Sequence, residues 1–435
     1  MKILFISLGC DKNLVDTEVM LGLLASRGYE MTDDERQADI IVINTCCFIH
    51  DAKEESIQNI LEMAEYKKSG QVKVLIVTGC LAQRYRQEIL DEIPEVDEVL
   101  GTTAYDKILD AVDRALEGEQ GIILSDLNAL PVSGAKRLVT TGGHFAYLKI
   151  AEGCDKHCTY CIIPKIRGNF RSVPMERLIK EAKELAEQGV KELILVAQET
   201  TLYGEKCLHR LVEELCKIAG IRWIRILYCY PEEITDELIE VIKKEPKVCH
   251  YLDLPIQHAS DSILKRMGRR TSKQELTDIV KKLRKEIPDI CLRTTLITGF
   301  PGETEDQHEE LMQFVDEMEF DRLGVFTYSP EEDTPAAVMP DQIAEEVKEE
   351  RQADLMELQQ EIAFDNAENM IGREMLVMIE GKVADENAYV GRTYRDAPNV
   401  DGLIFINTEE ELISGDFAKV KITGALEYDL IGELL

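Results

Sequence analysis

The sequence predicts an α/β protein in three parts: a doubly wound parallel-sheet domain, a partial (β/α)6 TIM-like barrel and a small antiparallel β-barrel. Three observations carry this. The chain has 435 residues, beyond the roughly 250–300 at which a single hydrophobic core stops growing. Continuous β-branched runs alternate with amphipathic segments over most of its length, as parallel strands covered on both faces require. The last stretch changes to short strands separated by Gly and Asn turns.

In the first unit, residues 1–135, the expected strands are KILFISLG (2–9), ADIIVINT (38–45), VKVLIVTG (72–79) and VDEVLG (96–101). Helices are expected near 14–27, 52–68, 82–92 and 104–117. PVSGAKRLVTTGGH (131–144), rich in Gly, Ser and Thr, reads as a linker. A second alternation follows, with strands at 145–150, 192–198, 223–229, 251–256, 291–297 and 322–328. Helices near 175–188, 206–219, 235–244, 273–286 and 304–318 fit between them. Six such units are fewer than the eight of a closed barrel, so an open, partial barrel is expected within 140–367, ending in a charged helix near 341–370. Residues 368–435 hold REMLVMIEG, AYVGRTY, GLIFINT, DFAKVKITGAL and YDLIGEL, enough short strands for a small barrel.

Composition narrows the function. Hydrophobic residues are 45% and charged residues 31%, which excludes wholesale disorder. The net charge is −33, whereas a nucleic-acid binder needs a basic footprint to displace counterions. The expected partner is a basic protein surface. No stretch reaches the ~18 apolar residues of a membrane span, and the start, MKILFISLGCDKN, is too short in apolar residues for a signal-peptide core. A cytoplasmic location is expected, where cysteines stay reduced. Twelve cysteines then favour metal or redox chemistry over disulfides.

Those cysteines form two constellations. In EGCDKHCTYC, Cys154, Cys158 and Cys161 stand as C-x3-C-x2-C directly after the first barrel strand. Three thiolates hold three irons of a cubane cluster and leave the fourth open, whereas ordinary electron-transfer clusters use four cysteines. The alternative is a zinc site completed by His157, but zinc usually shows paired C-x2-C spacing and no second pair follows. Cys10, Cys46 and Cys80 are far apart in sequence, yet each follows one of the first three expected strands, in SLGC, NTC and TGC. The carboxyl ends of parallel strands share one edge, so the three converge. Any one alone would read as a small buried hydrophobe; three at equivalent positions point to a shared site. Gly9 and Gly79 precede two of them and admit a close backbone approach. Cys47, next to Cys46, points in a different direction. Cys207, Cys216, Cys229, Cys249 and Cys291 show no ligand spacing and read as core or surface residues.

The C-x3-C-x2-C spacing after a barrel strand resembles the radical S-adenosylmethionine (SAM) enzymes. The resemblance implies that the open iron binds SAM and that reduction cleaves it to a 5′-deoxyadenosyl radical. It also implies a set of SAM-contacting residues. Tyr160 holds the position of an aromatic beside the adenine, with packing under the loop as the alternative. LITGFPGETE (296–305) resembles the family's fifth-strand motif, with Gly299 and Gly302 for close backbone approach. VAQET places Gln198 and Glu199 where the family binds SAM's amino group, although it departs from the usual Gly-Gly-Glu form.

Three plus three cysteines, two α/β domains and a barrel tail resemble the methylthiotransferase family over the whole chain, the tail being a TRAM domain. SLGCDKNLVDTE, LPIQHASDSILKRMGRR and RTYRDAPNVDGLIF resemble the RimO branch, which modifies ribosomal protein S-twelve. The tRNA-modifying MiaB branch typically has Gln-Met-Asn after the first cysteine and Ser-Gly-Ser where His258, Ala259 and Ser260 stand here. His258 itself reads first as a loop histidine with a satisfied hydrogen bond. The resemblance implies two [4Fe-4S] clusters, SAM, methylthiolation of an aspartate β-carbon, and a reduced flavodoxin- or ferredoxin-type electron donor. It implies no catalytic side chain beyond the cluster ligands and identifies no sulfur donor. No membrane partner is expected. The tail agrees with a protein substrate: six cations stand against fourteen anions over 368–435, a sign that repels RNA and steers in a basic protein. Three alternatives stay beside this reading: a MiaB-like tRNA adenosine methylthiotransferase, a structural-zinc binding module, and a plain SAM methyltransferase on the first domain. The last is disfavoured because no Gly-x-Gly-x-x-Gly follows strand one.

Overall fold

Two strands with every residue buried, IIVINT and VLIVTG, form the centre of the first sheet. Such strands need cover on both faces and crossover helices to supply it. In a computed structural model that describes residues 1–130, 136–384 and 387–435, the first unit runs β1 (Lys2–Ser7), α1 (Asp11–Ser26), β2 (Glu30–Thr32), β3 (Ile40–Thr45), α2 (His50–Lys68), β4 (Val74–Gly79), α3 (Cys80–Tyr85), α4 (Gln87–Glu92), β5 (Glu98–Leu100), α5 (Ile108–Leu116) and β6 (Gly121–Ile123). The parallel sheet has the order β2-β1-β3-β4-β5-β6. The chain reverses direction across the sheet at β1/β3, the switch point where doubly wound folds open a crevice at the carboxyl edge.

The barrel unit runs β7 (Phe145–Lys149), β8 (Ala151–Glu152), α6 (Ile163–Arg167), β9 (Arg171–Ser172), α7 (Met175–Glu187), β10 (Glu192–Val196), α8 (Tyr203–Lys206), α9 (Leu208–Cys216), β11 (Trp223–Ile226), α10 (Asp236–Lys244), β12 (Val248–Asp253), α11 (Asp261–Arg266), α12 (Lys273–Glu286), β13 (Cys291–Thr298), α13 (Glu305–Met318), β14 (Arg322–Thr327) and α14 (Glu345–Glu368). Its six main strands pair in parallel, in the order β7-β10-β11-β12-β13-β14, and do not close. The tail is a closed barrel of β15 (Glu374–Lys382), β16 (Ala388–Arg392), β17 (Ile404–Asn407), β18 (Phe417–Ala425) and β19 (Leu430–Leu434).

Several local expectations need correction. The segment expected as one helix near 82–92 is two, α3 and α4, broken at Arg86, whose φ is 41°. β2 and β6 are added edge strands of three residues each, too short to show a period. The tail is antiparallel except for one parallel pair, β17 with β19. Residues 131–135 of the expected linker lie outside the described residues. The rest of it is mostly exposed but pinned: buried Arg137 pairs with Glu18 of α1 and Glu181 of α7.

The loop between β16 and β17 plugs the amino-terminal end of the barrel. Glu192, at the start of β10, sits between Arg225 Nε (2.8 Å) and Arg392 Nη2 (2.7 Å), and all three are buried. Arg322 pairs with Asp396, and the Tyr251 hydroxyl donates to Asp401 Oδ2 at 2.7 Å. Met378, Ala397 and Phe417 of the tail share one apolar cluster with Phe145, Tyr147, Ile194, Trp223 and Tyr251 of the barrel. Burial alone would raise the Glu192 carboxyl, but Arg392 and Arg225 outweigh it and hold it below the usual carboxylate range. Its stabilising contribution is therefore complete above the unfolded value, about 4.3, and disappears as pH falls through the depressed folded value. Glu192→Gln leaves the buried Arg225 guanidinium without a carboxylate and Arg392 with Glu380 alone, and is expected to cost about 3–5 kcal/mol. Limited proteolysis at neutral pH should then release the tail and the urea midpoint should fall. An unchanged midpoint would refute the clamp.

Candidate functional site

β1, β3 and β4 are neighbours in one parallel sheet, so their carboxyl ends lie side by side. Cys10 follows β1 and precedes α1, Cys46 directly follows β3, and Cys80 follows β4 as the first residue of α3. The three strands are thus expressed as expected, with their cysteines on one edge. Gly9 has φ +86°, and a Cβ there would lie 2.7 Å from Cys46 Cβ. Gly79 has φ +93°, and a Cβ there would lie 2.5 Å from the Thr45 carbonyl oxygen. Cys46 and Cys80 are buried and Cys10 is exposed. Burial pushes the Cys46 thiol up to about 12, with Cys80 and Cys10 adding to it, so the three feel one another. Burial also raises Cys80, opposed by Arg167, whose Nη2 is 3.4 Å from the Cys80 sulfur. Cys47 turns instead into the apolar core with Ile41, Ile43 and Val77.

The second triad sits on the loop that leaves β8. Gly153 opens it with φ +79°, and a Cβ there would lie 2.1 Å from the Asn169 carbonyl oxygen. Cys154 and Cys158 are buried and Cys161 half-buried. Burial pushes Cys154 up to about 12, partly offset by the Lys156 backbone N–H and reinforced by Glu199 and Cys158. Burial likewise raises Cys161. Gln198 braces the loop: its Oε1 accepts from the Gly153 N–H at 2.8 Å, and its Nε2 donates to Glu152 Oε1 at 2.8 Å. Fully buried Glu199 has Cys154 Sγ 3.8 Å from Oε2 and Lys156 Nζ 2.9 Å from Oε1. Burial raises its carboxyl against the pull of Lys156.

The other candidates are packed into the same end of the barrel. Tyr160 meets Phe300 edge to face at 6.4 Å. A Cβ on Gly299 would lie 2.3 Å from Lys348 Cγ, and one on Gly302 2.8 Å from Arg266 Cζ, so these glycines admit side chains of α14 and α11. His258 is fully buried; the Ser260 N–H donates to its Nδ1 at 2.9 Å, and its Nε2 faces Glu303 at 3.5 Å. It is a loop histidine whose Nδ1 is satisfied and whose buried Nε2 has no hydrogen-bond partner among the described residues. Burial would raise Glu303, but His258 and Arg351 hold it below the usual range.

Each triad has one member tied to the seam between the units: Arg167 Nη2 reaches the Cys80 sulfur and the neighbouring Gly168 carbonyl accepts from the Cys154 N–H at 3.2 Å. The first sheet's carboxyl edge meets the loops that leave the carboxyl ends of barrel strands: Arg84 pairs with Glu331 at 3.0 Å, the Tyr228 hydroxyl donates to Asp11 at 3.2 Å, and Lys12 lies 3.1 Å from the Tyr228 ring centroid. Between them runs a buried chain of charge. Lys149 bonds Asp16 and, at 2.8 Å, Glu152; Arg167 bonds Asp16 at 2.9 Å. Asp16, Lys149, Glu152 and Arg167 escaped the sequence reading because no local spacing links them. Their signal was weak: charged residues at the ends of a buried strand and beside the Cys-x3-Cys loop.

Among the described residues, no three His, Cys, Asp or Glu side chains close on a single ion-sized point. Ligands of a cubane need not, because each thiolate binds its own iron. The donor sets fit such a group: three soft thiols each, side-chain-free glycines where the backbone presses close, and burial that raises the Cys46, Cys80, Cys154 and Cys161 thiols and so disfavours their thiolates without a cation.

Three family profiles match the chain: the Uncharacterized protein family UPF0004 over residues 2–101, the Radical SAM superfamily over 148–315, and the TRAM domain over 371–435. A Lachnoclostridium phytofermentans protein named ribosomal protein uS12 methylthiotransferase RimO is 67% identical over 437 residues, covering 99% of each chain. A Clostridioides difficile protein of the same name is 50% identical over 440 residues, covering 100% of this chain and 99% of its own. Among solved structures, the radical S-adenosylmethionine methyltransferase TsrM of Kitasatospora setae aligns at 12% identity over 78% of this chain and 75% of its own, with a TM-score of 0.56. The cobalamin-dependent S-adenosylmethionine radical enzyme OxsB aligns at 14% identity over 83% and 56%, with a TM-score of 0.52. At such identities these two speak for the fold. Among the described residues, no helix is long and apolar enough to cross a membrane.

The Gly153 geometry makes a prediction that stands without any bound group. Gly153→Ala forces both a positive φ on an L side chain, about 1–3 kcal/mol, and a clash with Asn169. The melting temperature should drop and thiol-reagent labelling of Cys154 should accelerate. Labelling at the parent rate would show that the loop tolerates the side chain.

Proposed function

Because the chain belongs to the RimO family of ribosomal protein uS12 methylthiotransferases, we infer that it methylthiolates the β-carbon of an aspartate of uS12 by radical SAM chemistry. The observation that supports the two-centre reading is that one three-thiol set stands at the carboxyl edge of the first sheet and the other on the loop after β8, with the Arg167–Gly168 segment touching a member of each. In this reading residues 1–135 carry an auxiliary [4Fe-4S] cluster on Cys10, Cys46 and Cys80. Residues 140–367 carry the SAM-binding [4Fe-4S] cluster on Cys154, Cys158 and Cys161, and 368–435 are the TRAM domain. Bound there, the two clusters and SAM supply hydrogen abstraction from carbon and a methylthio group, chemistry that no side chain offers at an unactivated C–H.

The chain's own residues then position. Gln198 fixes the Cys154 loop through Gly153 and Glu152. Glu199 and Lys156 set the charge beside Cys154, and Tyr160 lies next to Cys158 and Cys161. Tyr160, Gln198, Glu199, Gly299 and Gly302 are assigned to the SAM site, the glycines through their backbone. Electrons come from a reduced flavodoxin- or ferredoxin-type donor.

The tail's charge supports a protein substrate over tRNA. Arg392 and Arg395 of its six cations are paired with Glu192 and Asp321, leaving Arg373, Lys382, Lys419 and Lys421 at the surface, and of its acids Glu380, Asp396, Asp401 and Asp416 are paired in the same way. Asp385 and Glu386 of its acids lie outside the described residues. The full chain should bind uS12 with an affinity that falls as salt rises and bind tRNA poorly. Tighter binding to tRNA at physiological salt would favour the MiaB-like alternative.

Cys158→Ala should abolish SAM cleavage, followed as 5′-deoxyadenosine, whereas Cys80→Ala should spare cleavage and abolish the methylthio mass shift on uS12. A Cys80 variant that methylthiolates at the parent rate would defeat the auxiliary assignment. Anaerobic reconstitution should give about eight irons per chain; stoichiometric zinc without iron would leave the structural-zinc reading in its place.

A further inference from the structure

Arg167 stands where two units and both triads meet. It ends α6, six residues beyond Cys161 in the chain, yet its side chain reaches into the first unit and is 2% exposed. Nη1 lies 2.9 Å from Asp16 Oδ2 and 3.5 Å from Glu152 Oε2. Nη2 lies 3.4 Å from the Cys80 sulfur and also donates to Asn13 Oδ1. Asn13 Nδ2 in turn donates to the Leu8 and Thr45 carbonyl oxygens at 3.0 and 2.9 Å. Those carbonyls lie two residues before Cys10 and one before Cys46. One guanidinium therefore touches one thiol directly and, through Asn13, braces the backbone that carries the other two.

The charge count around it is informative. Asp16 and Glu152 already balance Lys149 and Arg167 one for one, so an ion-pair role accounts for Nη1. It leaves Nη2, which reaches both Asn13 Oδ1 and the Cys80 sulfur, outside the ion pairs. A thiolate accepting a charge-assisted N–H bond in a buried place is stabilised strongly, because little solvent screens the pair. On a cluster ligand the same bond favours the more negative, reduced state.

We propose that Arg167 is a positioning residue for the auxiliary triad: its Nη2–H donates to the Cys80 thiolate, fixes that sulfur and raises the reduction potential of the cluster held there. This rests on the assignment of Cys10, Cys46 and Cys80 to a cluster. Lysine cannot reproduce the arrangement, since its ammonium is a single point and lacks the planar fork that spans Asp16 and Cys80 together.

The test uses the full chain with Cys158→Ala as the parent, so that only the auxiliary triad can load. After anaerobic reconstitution the parent should hold about four irons, and its midpoint potential is read by redox titration followed by electron paramagnetic resonance. In this parent, Arg167→Gln should lower the reduction equilibrium constant at least tenfold, about 59 mV for one electron. Arg167→Lys, which keeps the charge and loses the fork, should lower it by less. An iron-loaded Arg167→Gln whose potential equals the parent's overturns the proposal and leaves the cluster assignment standing. If the glutamine variant takes up no iron, the lysine variant decides: a fall supports the proposal and an unmoved potential overturns it. A parent that binds no iron overturns the cluster assignment itself, and the proposal with it.

Discussion

Two buried acids and two buried cations, Asp16 and Glu152 with Lys149 and Arg167, hold the two α/β units in a single orientation. Each of these charges would cost several kcal/mol if buried alone. Asp16 comes from the first unit and the other three from the barrel, so the set is complete only when α1 lies across β7 in one register. An apolar contact of the same area would tolerate a small slide; this one would strand a charge. Glu152 shows the balance directly: burial pushes its carboxyl up, and Lys149 and Arg167 more than reverse it.

The rest of the site follows from that fixed register. Arg167 in its place meets Cys80, and Glu152 in its place orients Gln198, which holds the Gly153 N–H at the head of the Cys154 loop. The separation of the two triads is thus set by side chains that belong to neither. The opposite end of the barrel repeats the device with Glu192 between Arg225 and Arg392. A partial barrel does not close on itself, and here each open end is sealed by another unit through matched buried charge over an apolar cluster. The seal at the carboxyl end also builds the seam where the chemistry is placed.

How much of this was legible depends on whether the information is local. β3 and β4 announced themselves because burial on both faces demands uninterrupted apolar residues. The scattered cysteines could be grouped because each stands directly after such a strand, and parallel topology then does the rest. The break at Arg86 was hidden, since no Gly or Pro marks its positive φ. The stretch after 135 looked like a linker because Arg137 finds Glu18 and Glu181 only in the fold. Arg167 and Asp16 are 151 residues apart, and no period or spacing connects them. Gly299 and Gly302 showed that something comes close, but not that Lys348 and Arg266 are what approaches.

The clamps also bear on how the site is loaded. Thiols raised to about 12, as Cys46 and Cys154 are, stay protonated at neutral pH, so in the proposed reading a metal must displace the proton and loading weakens as pH falls. In small metal-dependent domains that binding energy is the folding energy. Here neither the four charges of the seam nor the Glu192 clamp includes a thiol, and of the six triad cysteines only Cys80 enters an apolar cluster beneath the strands. The fold can therefore form first and present both triads in place. Cys10 is exposed where Cys46 and Cys80 are buried, so the first triad is open to solvent on that side.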